Sequence, residues 1–198
     1  MLEIRVADYL PESRSNGPGS RSVLWVQGCP KRCPSCWNPD FLPSQGGMVW
    51  TIDEALQKLT QSSVISGITL LGGEPFVQAQ SLAILCKHLK AKGLSVMAYS
   101  GWTIAELRQM GSPQSALLDL CDLLIDGEYL EAQAANLLWR GSQNQQVHFL
   151  TEKYAEFRSK IDDYHRDFEL FIRDGKLILT GDPPVEVLKE IQAYFPNI

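Results

Sequence analysis

Three of the five cysteines, Cys29, Cys33 and Cys36, fall in one short run, Cys29-Pro30-Lys31-Arg32-Cys33-Pro34-Ser35-Cys36. Spacings of three and two let a single loop wrap its thiolates around one metal centre. A four-iron cluster held by three cysteines keeps one iron open to a small molecule, whereas a fully ligated cluster only carries electrons. Lys31 and Arg32 are expected to favour the thiolate forms electrostatically. The same residues leave a second chemistry open. Cys33 and Cys36 fit half of a structural zinc site, with Cys86, Cys121 or His88 as candidates for a fourth ligand. A ferredoxin-type carrier fits less well, because its runs are tighter and bring a fourth cysteine. Cys86 and Cys121 otherwise read as small core residues.

Composition narrows the setting. The chain has 198 residues, 44% hydrophobic and 21% charged, with net charge −5. That suits one domain, 1–198, with a sizeable core, and gives no electrostatic footprint for nucleic acid. The first ten residues already mix Glu3, Arg5 and Asp8, unlike a secretory leader. No apolar run approaches the ~18 residues of a membrane helix. An odd cysteine count with three clustered argues against a disulfide framework, so a cytoplasmic protein with no membrane partner is expected.

The elements that must position the cysteines alternate. Residues 1–22 offer turns at Pro11, Gly17, Pro18 and Gly19 and little periodicity. Val23 to Val26 predicts a buried strand that ends at Gly28. Pro30, Pro34 and Pro39 make the cysteine segment a loop. Thr51 to Glu54 is a capping box that opens a helix with Ile52, Ala55, Leu56 and Leu59 on one face. Ile68 to Leu71 is a second strand, then a helix from about Gln78 to Lys92, then a third strand from Leu94 to Tyr99. Thr103 to Glu106 is another capping box, and Asp122 to Asp126 is a fourth strand. Arg140 to Gln146 is expected as a polar loop and Thr151 to about Asp163 as a helix. Asp174-Gly175 predicts a hairpin between Phe168–Ile172 and Lys176–Leu179, and Asp182-Pro183-Pro184 starts a closing helix with Val185, Leu188 and Ile191 inward.

This order predicts an α/β fold, a partial TIM-type (βα) barrel of roughly four to six mainly parallel strands with a C-terminal hairpin and helix. Functional groups in such sheets gather past the C-terminal ends of the strands. The cysteine loop, Gly72-Gly73-Glu74-Pro75, Ser100-Gly101 and Asp126-Gly127 each follow a strand and should converge. Gly72-Gly73 lets backbone approach a ligand closely. Each segment also has a plainer reading as a tight turn or a solvated sheet end. Trp25 reads as core, and His88, His148 and His165 have no ligand spacing.

C-x3-C-x2-C after a first strand, with Gly-Gly-Glu-Pro after the second, resembles the radical S-adenosylmethionine superfamily. Asn16-Gly17-Pro18-Gly19-Ser20-Arg21, Gln27-Gly28-Cys29-Pro30 and Cys36-Trp37-Asn38-Pro39 resemble segments of the glycyl-radical enzyme activators. Thr69 to Pro75, Tyr99 to Thr103, Leu124 to Gly127 and Arg140 to Gln145 resemble the branch acting on anaerobic ribonucleotide reductase. The likeness covers about 14–150. Ser35 stands where many superfamily members carry an aromatic, which here is Trp37 just after the third cysteine. Residues 151–198 extend past the compact members of that branch.

The resemblance implies one 4Fe-4S cluster on Cys29, Cys33 and Cys36, and S-adenosyl-L-methionine on the open iron. It implies contacts to that molecule from Ser35, Trp37, Gly72, Gly73, Glu74, Pro75, Ser100 and Asp126. It further implies reductive cleavage to a 5′-deoxyadenosyl radical, a glycyl-radical protein partner, and a low-potential electron donor such as flavodoxin or ferredoxin. A radical enzyme acting on a peptide or small metabolite, and a non-catalytic zinc or iron–sulfur scaffold, are the competing expectations.

Overall fold

A computed structural model describes residues 2–164, 167–173, 175–181 and 183–195. Strand β1 (Glu3–Ser13) runs antiparallel to β2 (Arg21–Val26) on one side and to β3 (Met48–Thr51) on the other. Then follow α1 (Ile52–Leu59), β4 (Gly67–Gly72), α2 (Ala79–Ala91), β5 (Ser95–Ser100), α3 (Ile104–Gln109), α4 (Ser112–Leu118) and β6 (Leu123–Asp126). β7 (Ala134–Leu137) and β8 (Arg140–Ser142) form a small ladder of their own, and β9 (Gln146–Phe149) returns antiparallel to β6. β10 (Phe168–Arg173) and β11 (Lys176–Gly181) make a hairpin, followed by α5 (Val185–Tyr194).

The main sheet has seven strands in the order β3-β1-β2-β4-β5-β6-β9. Its centre, β2-β4-β5-β6, is the parallel set expected from the apolar runs. The antiparallel flanks were not expected. Ile4 and Val6 are fully buried and alternate with Glu3 and Arg5, but register shifts after Val6 and Leu10 break the period and hide β1. β3, β7, β8 and β9 are only three or four residues long, too short to show a period. Part of the expected Arg140–Gln146 loop is therefore strand, and Thr151–Asp163 holds a 3-10 turn, Glu152–Phe157, instead of a longer helix. The hairpin and closing helix form where expected, with Leu188 and Ile191 half-buried, although Asp174, Asp182, His165 and the Val185 side chain lie outside what is described.

Both capping boxes form. Thr51 Oγ1 accepts from the Glu54 N–H while Glu54 accepts from the Thr51 N–H, and Thr103 and Glu106 repeat the exchange. The sheet's two faces differ by strand parity. Leu24, Val26, Ile68, Leu70, Val96, Ala98 and Leu124 bury one face under Leu82, Leu85 and Leu89 of α2 and Leu117 of α4. Met97, Leu123 and Ile125 on the opposite face are covered by Tyr154 from beyond β9. The parallel strands end in register, Val26 opposite Gly72 and Ser100 opposite Asp126, so their exits share one edge. Among the described residues no helix is long and apolar enough to cross a membrane.

Candidate cluster site

The cysteine loop is fixed at its base before it reaches the first thiol. Gly28, at φ +98°, donates its N–H to Phe41 O, and Cys29 donates to Leu42 O. Gln27 Nε2 donates to Asp40 O and Pro43 O, clamping the loop's two ends together. The turn after β4 locks onto it: Gly73 N–H reaches Val26 O at 2.7 Å and Glu74 N–H reaches Gly28 O at 2.9 Å. A Cβ on Gly73 would overlap the carbonyl oxygen of Gly28 and come within 2.9 Å of Val26 O. Gly73→Ala should therefore lower stability by about 1–3 kcal/mol through overpacking at the site. A thermal melt unchanged from wild type would show that the turn tolerates a side chain.

The segments past β2, β4, β5 and β6 meet in a cavity of about 190 Å³. Cys29, Cys33 and Cys36 all line it, with Trp37, Gly72, Gly73, Glu74, Ser100, Gly101 and Glu128. Three predicted residues do not line it. Ser35 donates its hydroxyl outward to Glu131, Pro75 is buried in the turn behind, and Asp126 accepts the Ile104 N–H at 2.6 Å. Asp126 shares the parity of Leu124, toward the helices, so the chain places Gly127, Glu128 and Tyr129 at the cavity in its stead. His148 Nε2 lies 2.9 Å from Asp126 Oδ2 but off the line a hydrogen bond needs.

Glu74 is the best-held polar group here. One oxygen accepts from Phe76 N–H and Ser100 Oγ, the other from Gly101 N–H at 2.8 Å. The carboxylate thus ties the exits of β4 and β5 together. Burial pushes its pKa up to about 7, against the hydrogen bonds from Gly101, Phe76 and Ser100. Ser100 spends its proton on Glu74 and accepts from Trp102 N–H, so only acceptor capacity remains for a ligand. The folded state binds the Glu74 proton more tightly than the unfolded chain does. Its contribution to stability is whole below pH ~4.5 and is lost as pH rises through ~7, at roughly 1.4 kcal/mol per unit. A urea titration of the ligand-free protein should show this loss, and Glu74→Gln should flatten it. A slope unaltered by that substitution would contradict the assignment.

A second set of contacts draws the post-β6 loop over the cysteines. Lys31 Nζ pairs with Glu128 at 2.8 Å and lies over the Trp102 ring, while Trp37 meets Tyr129 edge-on at 6.2 Å between centroids. Gln145 holds this loop in place by donating to Gly127 O and accepting from Gly141 and Ser142 N–H. Tyr129 and Gln145 line the cavity and were not singled out in the sequence; the polar run Arg140–Gln145 was the only signal for the latter.

The expectation that Lys31 and Arg32 favour thiolates is corrected. Burial raises the pKa of Cys29 and Cys33, and only the backbone hydrogen bonds of Lys31 and Arg32 act on Cys29 in the other direction. The Lys31 charge is taken up by Glu128. Among the described residues no three His, Cys, Asp or Glu side chains are already gathered as a ligand set. The donor set still fits an iron–sulfur cluster. It is all-thiol, on one loop, in one cavity, and the Cys36 sulfur accepts the Asn38 N–H. No fourth thiol reaches it. Cys86 and Cys121 are buried in the core, the former with its pKa pushed up to about 12 by burial, and His88 is exposed on α2.

Comparison with known proteins defines the class. Residues 15–148 match the family of 4Fe-4S single cluster domains. The anaerobic ribonucleoside-triphosphate reductase-activating protein of Salmonella typhimurium is 31% identical over 156 residues, 74% of this chain and 99% of that protein. Its namesake from Vibrio cholerae is 34% identical over 72% of this chain and 96% of that protein. The one from Enterobacteria phage T4 is 30% identical over 67% and 85%. The chain belongs to this family of reductase-activating proteins. The crystal structure of QueE from Escherichia coli aligns at TM-score 0.38 and 16% identity over 51% of this chain and 53% of that one, a likeness too slight to build on.

Proposed function

We propose that this chain is an iron–sulfur activating enzyme that cleaves S-adenosylmethionine reductively to generate a glycyl radical on an anaerobic ribonucleotide reductase. One observation carries this: three thiols share a cavity with the glycine turn Gly72-Gly73 and with Glu74, and no other cysteine or histidine among the described residues joins them there. When bound, the cluster and S-adenosylmethionine supply a 5′-deoxyadenosyl radical, the species that takes a hydrogen atom from a glycine of the partner. Everything else falls to the chain.

Cys29, Cys33 and Cys36 would hold the cluster. The Cβ-free Gly72-Gly73 backbone would admit the methionine end of S-adenosylmethionine beside it. Glu74, already poised to lose its proton near neutrality, turns anionic against an incoming ammonium. Trp37 and Tyr129 flank the entrance as flat apolar surfaces for the adenine. Ser35, Pro75 and Asp126 act behind the wall: Ser35 fixes the cysteine loop to Glu131, Pro75 shapes the turn, and Asp126 holds the start of α3.

The sheet is open at β3 and β9 and carries α2 and α4 on one face, which supports an open, partial (βα) barrel with the site past its parallel strands. The chain works as one domain, fed by a low-potential donor such as flavodoxin or ferredoxin, in a reducing compartment such as the cytoplasm. The test is to add the reconstituted, reduced protein and S-adenosylmethionine to the reductase and record the radical spectrum. A glycyl-radical doublet on the reductase is expected. Formation of 5′-deoxyadenosine with no radical on the reductase would move the substrate to another peptide or metabolite.

A further inference from the structure

The family match ends at residue 148, yet the chain continues through β10, β11 and α5. The hairpin is anchored firmly. Glu169 accepts from the hydroxyls of Ser13 and Ser15 and from the N–H groups of Arg14 and Ser15. Burial raises its pKa, but these bonds outweigh burial and hold the carboxyl below its usual range. Arg173 pairs with Asp8 at 2.7 Å, and Asn16 donates to Thr180. Phe171 packs on Leu10, Val23 and Trp25. These contacts set the hairpin against β1 and the loop that leads to β2.

β11 then faces open space. All six of its residues, Lys176–Gly181, line a groove of about 530 Å³, with Trp37, Asn38, Phe41 and Leu71 from the core domain and Pro183 and Leu188 from the segment leading into and along α5. Side chains along a strand alternate between faces, so six consecutive residues on one wall put the strand's backbone edge there. Among the described residues β11 pairs only with β10, and alternate residues leave N–H and C=O groups without a ladder partner on the other edge. Free edges are normally blunted by charge or proline; here Leu177 to Thr180 carry neither. Trp37, Asn38 and Leu71 also line the cysteine cavity, so the groove and the cavity adjoin at these three residues.

We propose that the free edge of β11 docks the partner's glycine-bearing segment as an added strand, which delivers the glycine to the cysteine cavity past Trp37. This rests on the function proposed above. A glycine offers no side chain to recognise, so selection must fall on main chain and flanking residues, which is what strand addition reads. Phe41 and Leu71 would receive apolar side chains at alternate positions. β11 spans about 20 Å, enough for a six-residue segment.

The probe is a synthetic peptide of about ten residues spanning the reductase glycine, used to compete with the intact reductase for radical installation. Methylating its backbone nitrogens one at a time should weaken competition about tenfold at every second position of the flank and leave the positions between unchanged. Leu179→Lys should lower radical yield on the reductase about tenfold while 5′-deoxyadenosine formation without the reductase stays at the wild-type rate. Uniform or absent effects of methylation, or full radical yield in Leu179→Lys, would overturn the proposal. So would a sedimenting dimer of this chain that Leu179→Lys dissolves, since a second copy would then own the edge. Failure of the wild-type protein to cleave S-adenosylmethionine at all would instead sink the underlying function.

Discussion

Replacing any one of Cys29, Cys33 or Cys36 with alanine should abolish iron–sulfur assembly and 5′-deoxyadenosine formation together, whereas Cys86→Ala and Cys121→Ala should retain both. The three loop thiols share one cavity and the other two are core side chains, with Cys121 Sγ donating to Leu117 O. Loss of a group one shell further out typically costs a metal site roughly 10–100-fold, so loss of a direct ligand should exceed a hundredfold. The fold should survive, because the anchors at the loop's base, Gly28 to Phe41 and Gln27 to Asp40 and Pro43, use no sulfur, and only Cys36→Ala gives up a bond, from Asn38 N–H. Iron and sulfide content, the visible absorbance of the cluster and product formation should fall in step. A Cys33→Ala protein that still cleaves S-adenosylmethionine would refute the ligand assignment.

The second large effect lies at the opposite end of the parallel strands. Arg21 is fully buried, and among the described residues its guanidinium bonds hydroxyl and carbonyl oxygens, with no carboxylate paired to it. Nε donates to Thr69 Oγ1, one terminal nitrogen reaches Ser95 Oγ and Tyr154 Oη, and the other reaches Ile68 O at 2.6 Å. Thr69 in turn donates to Asn16 O. One side chain thus ties β2, β4 and β5 to the turn around Tyr154. Burial lowers its pKa, with Tyr154 the main opposing influence. Arg21→Ala would leave several buried acceptors unpaired around a cavity, a loss on the order of 4 kcal/mol. For a chain of this size that is a drop of ~10 °C in melting temperature. Arg21→Lys should also destabilise, because a single ammonium cannot span the fork of partners. A melt within about 1 °C of wild type for Arg21→Ala would show that the network contributes nothing.

The fold was legible where its causes are local. The strands at Val23, Ile68, Leu94 and Asp122 are buried on both faces, so they read as unbroken apolar runs. The capping boxes at Thr51 and Thr103 are chemistry within four residues. β1 escaped because bulges interrupt its alternation, and β9 because it is a four-residue edge strand that its partner β6 defines. At the site, position in sequence located the segments but not the direction of each side chain. Asp126 and Ser35 sit in the right segments and point elsewhere, whereas Tyr129 and Gln145 point in and carry no motif. Arg21 was visible only as part of a motif, and nothing in a sequence announces that an arginine will be buried among hydroxyl and carbonyl acceptors.

The most direct test of the central claim is anaerobic reconstitution with iron and sulfide, followed by reduction in the presence of S-adenosylmethionine. Four irons per chain on three cysteines, together with 5′-deoxyadenosine and methionine in equal amounts, are the predicted result. One zinc per chain with no cluster formed, and S-adenosylmethionine left intact, would contradict it.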